Sequence, residues 1–390
     1  MSLSSTKIRG GEVFLVALPI RRPHLWVGLT TPIGHGYVVL RLDLECGISG
    51  WGEAQPIGTW GGDHGSKYGE PPAVAATALR EILLPAIVGH DVTRLDRLHE
   101  RLNAVLRGHP YAKAAIDVAA LDAIGRVHSV PVYQLLGGKY RDRVEVAHSI
   151  GLMEPEQAAR EAAEVVAEGV KTIKIKIGVE AERDIRVVGE VRGAVGAVAR
   201  IRVDANQGYG TWREAVRVIE ALEKYDIWYA EQPVNGLREM AAVSARSRVP
   251  IMADESAWNE HDVLEIIRLD AAQMLSVYYT KPGGPSRAKR LLAIAGAGGL
   301  PCDINGSAEM GIGNAANLHL AASSPEISLP GTIPITSTAE SVTTQVASHK
   351  YLDDLIKEPF PYADGFLTVP DGPGLGIAVD EAKIAKYRIG

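Results

Sequence analysis

Apolar and polar positions alternate most sharply over residues 171–178, where Ile173, Ile175 and Ile177 fall on one side and Lys174 and Lys176 on the other. Period-two alternation of β-branched residues predicts a strand, here with two ammonium groups on a single face. Three further short apolar runs each end in an acid: residues 201–204 in Asp204, 227–231 in Glu231 and 250–254 in Asp254. From Lys176 the acids follow at steps of 28, 27 and 23 residues. Each step has room for one strand, one helix and two loops. Between the acids, apolar residues recur at helical spacing over 212–222 and 263–269. Strands alternating with helices predict a parallel sheet. In a barrel of such units the carboxyl ends of the strands converge on one face, where catalytic groups sit.

The pattern differs on either side of this section. Residues 12–20 and 36–45 read as strands, and a turn at 47–50 leads into 51–54, giving an antiparallel meander. Helical periodicity follows over 73–87, 92–106 and 112–127. The opening is therefore an α+β module, assigned to residues 1–130. The α/β section, a (β/α)8-type TIM barrel, runs over 131–361, with strands also expected at 144–148, 273–279, 301–305 and 327–332. Residues 362–390 carry dense Gly/Pro punctuation, so this tail is expected to leave the barrel and pack back on the first module. Two long Gly-rich loops, 21–35 with His24 and Trp26, and 56–72 with Trp60, His64 and Tyr68, are expected to form walls that read the substrate.

Composition narrows the class. The 390 residues are 46% hydrophobic and 23% charged, as in a globular enzyme, and the net charge of −6 is spread along the chain. Neither nucleic acid nor an anionic membrane is favoured as a partner. Cys46 and Cys302 are far apart and lack metal-ligand spacing, so both are expected to be small buried residues. The start lacks the apolar core of a signal peptide and no run is long enough to span a bilayer, which makes a cytoplasmic location the expectation.

Asp204, Glu231 and Asp254 bring three carboxylates to one barrel mouth. Such a set calls for a hard divalent cation, and oxygen ligands with open positions suit Mg²⁺ better than Zn²⁺. A lysine serves as a general base near neutrality when a second ammonium disfavours its charged form, and Lys174 stands beside Lys176 in that way. With a substrate carboxylate held by the cation, the α-proton becomes removable. The chemistry expected is proton abstraction next to a carboxylate. His148, on the first barrel strand, reads as a satisfied core residue.

These residues resemble the enolase superfamily, in its muconate lactonizing enzyme subgroup. The likeness covers nearly the whole chain, through residues 115–122 and 135–138, the Lys-x-Lys strand, 203–206, 230–233, 253–256, 306–323 and the 370–376 tail. The resemblance implies Asp204, Glu231 and Asp254 as Mg²⁺ ligands, Lys176 as the acid/base, and Lys174 as the group that tunes it. It also implies that the first module and tail cap the barrel, that loops 21–35 and 56–72 set specificity, and that the protein is a homo-oligomer acting on a small carboxylate. Asn206, Glu255 and Glu309 join the expected substrate contacts, with helix capping as the other reading of Glu309.

One position departs from the family pattern. A lysine is usual on the sixth strand, a few residues before a Gly-Gly pair; counting back from Gly283-Gly284, that position is Tyr278, and Lys281 comes three residues later. A tyrosine, with a pKa of about 10, is a poor base though a fair acid. Cycloisomerisation and dehydration are therefore favoured over a racemase or epimerase that uses Tyr278 as its second acid/base. Two readings of another class stay open: a Schiff-base lysine enzyme and a non-catalytic binding protein.

Overall fold

The computed structural model describes residues 5–29, 33–306 and 308–389. Residues 30–32 of the first expected specificity loop, Ser307 of the 306–323 motif, and both chain ends lie outside the described residues.

The opening meander is a three-stranded antiparallel sheet, Ile8–Ala17, His35–Leu44 and Ser49–Ala54. One face packs on the Pro110–His128 helix, which comes close enough only because Gly50 and Gly52 have no side chain. A Cβ at Gly52 would lie 1.9 Å from the Ala115 carbonyl oxygen, and one at Gly50 2.0 Å from that of Ala119. The pattern over 73–87 is not one regular helix. It runs as Pro72–Thr77, loosens into a π turn over Ala78–Leu83 and closes with Leu84–Ile87, as Pro85 removes a backbone donor inside the run.

Seven parallel strands follow in spatial order: Ala147–Ile150, Thr172–Lys176, Arg200–Asp204, Ile227–Glu231, Ile251–Ala253, Met274–Val277 and Cys302–Ile304. Amphipathic helices cover them. In Trp212–Leu222, Ala215, Val216, Val218, Ile219 and Leu222 face inward, and the Thr211 side chain caps the start by accepting from the Glu214 N–H. Each large apolar side chain so buried contributes about 1.5–3 kcal/mol, and such a cap about 1.

The eighth position is not a full strand. Residues 327–332 cross it as isolated bridges, Cys302 to Ile327 on one side and Val146 to Gly331 on the other. The Ala147 N–H donates to the Gly331 carbonyl (2.8 Å), and the Thr332 N–H to that of Ile304 (2.9 Å). The sheet thus closes into a modified TIM barrel, and the chain then runs without a helix from residue 332 to 361.

Tyr362–Ala363 and Phe366–Thr368 add to Arg143–Glu145 as a small antiparallel sheet. The remaining tail reaches the first module: buried Asp122 accepts the N–H groups of Trp51 (2.9 Å) and Leu375 (2.8 Å), and the Ile389 N–H donates to Leu15 (2.8 Å). Cys302 is buried, but Cys46 is only partly so, because it sits at the turn between two meander strands instead of inside one. No described helix is long and apolar enough to cross a membrane.

Candidate active site

Parallel register sets Lys176 opposite Asp204, and Asp204 opposite Glu231, at the carboxyl ends of adjacent strands. Asp254 and Tyr278 each follow immediately after the next two strands. The pleat turns Lys174 and Lys176 inward as the alternation predicts, and both are buried. Their ammonium groups meet at one atom, Asp204 Oδ2, at 2.8 Å from Lys174 and 2.6 Å from Lys176. Lys174 also reaches Glu231 Oε1 (2.7 Å), and Lys176 donates to Asn206 Oδ1 (2.7 Å). Asp254 takes a different lysine: Lys281 Nζ lies 2.5 Å from its Oδ1 and also donates to the Asp254 and Ser276 carbonyls.

Burial works against the charge on Lys174, but Asp204 and Glu231 beside it hold it above the ordinary lysine value. Asp204 is likewise resisted by burial and pulled down by Lys174 and Lys176. Glu231 goes the other way: burial and the charge of Asp204 push its carboxyl up, and its Oε2 has no partner among the described residues. Glu255, buried beside Asp254, is also pushed up by burial; its Oε1 accepts from Asn206, while Oε2 has no described partner. Four buried carboxylates thus face three ammonium groups. Among the described residues no three acidic, imidazole or thiol side chains are gathered into a finished cation cage.

A cavity opens above this cluster, lined by Lys174, Lys176, Asn206, Tyr278 and Asn305 from the barrel and by His24, Trp26 and Trp60 from the two loops. The loops are tied down at their bases. The Leu152 N–H donates to Leu25 (2.8 Å) and the Gln207 amide to Gly61 (2.6 Å). Trp60 stacks on both Trp258 and Tyr278, with ring centroids 5.1 and 5.2 Å apart. Trp26 lies under Lys176, 5.4 Å from its ammonium.

His64 and Tyr68, expected in the same wall, are exposed and line no part of this cavity. His64 occupies a left-handed turn (φ 55°) whose N–H binds Asn235, and Tyr68 sits on a two-residue strand facing solvent. Glu309 is buried but neither lines the cavity nor caps the Gly311–Ala322 helix. Its carboxylate fills the space where Gly306 lacks a Cβ. The helix start is held instead by Glu53, which accepts from Met310 and Gly313 (2.8 and 2.7 Å), and by Asp354, which accepts from Gly311 (2.8 Å). His148 is fully bonded, to Glu161 through Nε2 (2.7 Å) and to the Ser348 N–H through Nδ1 (2.8 Å). Sequence reasoning missed Glu53, Asp354, Asn305 and Lys350. Only Glu53, an acid at the end of a buried strand, carried a local signal.

Two family models divide the chain between them: the mandelate racemase / muconate lactonizing enzyme N-terminal domain over residues 11–137, and the enolase C-terminal domain-like family over residues 157–383. The chain belongs to the enolase superfamily. Muconate cycloisomerase 1-1 of Acinetobacter lwoffii is 32% identical over 392 residues, covering 99% of this chain and 97% of that protein. The cis-3-hydroxy-L-proline dehydratase of Roseibium aggregatum is 31% identical, covering 95% and 96%. The crystal structure of the N-succinyl Arg/Lys racemase from Bacillus cereus superposes with a TM-score of 0.89 at 27% identity, covering 98% of each chain. This enolase-superfamily protein is an enzyme, and relatives of similar likeness bear the names of cycloisomerase, dehydratase and racemase.

Proposed function

We propose that the enzyme removes the α-proton of a small carboxylate with Lys176, with Mg²⁺ as cofactor, and that the product is a cycloisomerised or dehydrated acid. The observation that carries this reading is that the sixth strand sets no second lysine across the cavity from Lys176: Tyr278 stands there, and Lys281 is spent on Asp254. Tyr278 is fully buried, and burial together with Asp254 and Glu231 pushes its phenol well above the ordinary value. The phenol therefore stays protonated, with no phenolate available to accept a proton, and a proton is taken from one face only.

The donor set fits a hard cation. Asp204, Glu231 and Asp254 would hold it; Glu231 keeps an unpartnered oxygen, and the cluster carries one more carboxylate than ammonium. When bound, Mg²⁺ supplies Lewis-acid stabilisation of the negative charge that develops on the substrate carboxylate. The chain's own residues do the rest. Lys174, kept charged, holds Asp204 and Glu231 in register. Asn206 orients the Lys176 ammonium and is itself fixed by Glu255 (2.9 Å). Trp26 and Trp60 shut water away from the proton in transit.

The test is mass spectrometry of muconates, hydroxy acids, cyclic imino acids and N-acyl amino acids incubated with enzyme and Mg²⁺ in D₂O. Deuterium at the α-carbon that disappears with EDTA and with Lys176→Ala supports the reading. Loss of water would select dehydration. Borohydride-trappable activity that survives EDTA would replace the reading with a Schiff-base mechanism. Racemisation lost in Tyr278→Phe would install the tyrosine as a second acid/base, as the racemase and epimerase names among the relatives require to be checked.

A further inference from the structure

The cavity wall carries a lysine that the proton-abstraction chemistry leaves unused. Lys350 lies on the helix-free stretch after the eighth barrel position; it is 7% exposed, and its ammonium has no hydrogen-bond partner among the described residues. Lys174 and Lys176 line the same cavity, but each is satisfied by Asp204. No aspartate or glutamate lines it among the described residues. Glu161, which bonds His148 of the first strand, is committed to that histidine and to Arg22. Burial, with Arg22 and Lys176 nearby, pushes the Lys350 side chain well below the ordinary lysine value; a buried, unpartnered amine lining a ligand cavity is a place where a bound anion would restore the charge and supply the missing partner.

The position is built in advance. The Arg21 N–H donates to the Lys350 carbonyl (2.9 Å), Ile20 bridges to Tyr351, and the Ser348 N–H is anchored on His148 (2.8 Å). The cavity that Lys350 lines is also walled by Ser149 of the first strand, by Thr332 of the eighth position and by Ile333 just after it. In the strand order of the closed barrel this seam lies across the mouth from the strands that carry Glu231 and Asp254.

We propose that Lys350 binds a second carboxylate of the substrate, which makes the natural substrates dianions: a dicarboxylate, or an acid whose acyl arm ends in a carboxylate. The inference rests on the proposed function, in which the reacting carboxylate occupies the Asp204–Glu231–Asp254 side. The distal carboxylate then spans the cavity to Lys350, and its charge supplies the counter-ion that the chain omits. The aromatic walls hold the apolar middle of such a molecule, not a cationic group.

Binding is measured by titration calorimetry in Mg²⁺ with two matched pairs: cis,cis-muconate against its monomethyl ester, and N-succinyl-phenylalanine against N-butyryl-phenylalanine. Proton exchange in D₂O is followed in parallel. In the native enzyme the dianion of at least one pair is expected to bind about 10- to 100-fold more tightly than its monoanion, the worth of one charge-assisted hydrogen bond. Lys350→Met is expected to erase the difference by weakening the dianion alone, and Lys350→Arg to keep most of it. Equal affinity within each native pair, or an equal loss for both partners in Lys350→Met, would overturn the proposal. The native comparison decides even where the Met variant does not fold. Charge-selective binding without exchange in any compound would retain Lys350 as the anion site and sink the proton-abstraction reading instead.

Discussion

Lys281 Nζ reaches 2.5 Å from Asp254 Oδ1, and this contact fixes what the sixth strand offers the cavity. The lysine three residues beyond Tyr278 curls back beneath the ring, 4.3 Å from its centroid, and is consumed by a buried carboxylate. Tyr278 is left facing Lys176, with its hydroxyl 3.3 Å from Asp254 Oδ2.

Tyr278→Phe is accordingly expected to leave α-proton exchange within about threefold of the native rate, since a long hydrogen bond to one carboxylate is all that is removed. Deuterium incorporation measured at saturating substrate checks this. A loss of about 100-fold or more would make the tyrosine a proton carrier.

Lys176→Ala is expected to lower exchange by at least about 10²- to 10⁴-fold, the usual worth of a positioned acid/base. Calorimetric affinity for the same carboxylate should change far less. A matching fall in affinity would mean that the residue binds substrate rather than moving its proton.

Mg²⁺ is expected to raise the melting temperature of the native enzyme, by about 2.7 kcal/mol of stability at a hundredfold excess over Kd. Glu231→Gln should lose most of that gain, because it removes a charge from a set with three other buried carboxylates nearby. An equal Mg²⁺ response in the variant would take Glu231 out of the ligand set.

Glu53 and Asp354 predict a pH effect on stability. Burial pushes each carboxyl up to about 7, although both accept backbone N–H groups at the start of the Gly311–Ala322 helix. The folded value lies above the unfolded one, so the folded state binds the proton more tightly. This contribution is complete below about pH 4 and is lost as pH rises through 7, at about 3 kcal/mol per group. Glu53→Gln should flatten the fall in melting temperature between pH 5 and 8. Glu53→Ala should instead cost about 2–4 kcal/mol at all pH values in urea unfolding, because two buried N–H groups lose their acceptor. A pH slope unchanged in Glu53→Gln would show that the group titrates normally.

Much of this was legible in the chain itself. The Lys174/Lys176 alternation and the acids at the ends of 201–204, 227–231 and 250–254 encode strand, face and barrel mouth together, because a pleat and a βα period leave those residues nowhere else to go. His64 and Tyr68 shared the composition of a substrate wall, but a left-handed turn and a two-residue strand aim them at solvent, and backbone angles of that kind are not written in side-chain type. Glu53 and Asp354 act across 260 and 43 residues of sequence on the same helix start, and no local pattern reports such partners. Lys350 was hidden for the same reason, in a stretch without periodicity that the fold lays over the first strand.

The eighth barrel position closes the sheet with a few backbone hydrogen bonds and passes directly into a helix-free stretch. The side chains that follow are drawn into the core, Ile333, Ile335, Leu355 and Ile356 among them, while loop length by itself costs little free energy once the ends are fixed. Changes of length are therefore best borne at residues 339–342, where this stretch is exposed. At this seam the proposed distal site could be recast by changing the Lys350 side chain alone, with the backbone that ties it to Arg21 and His148 left in place.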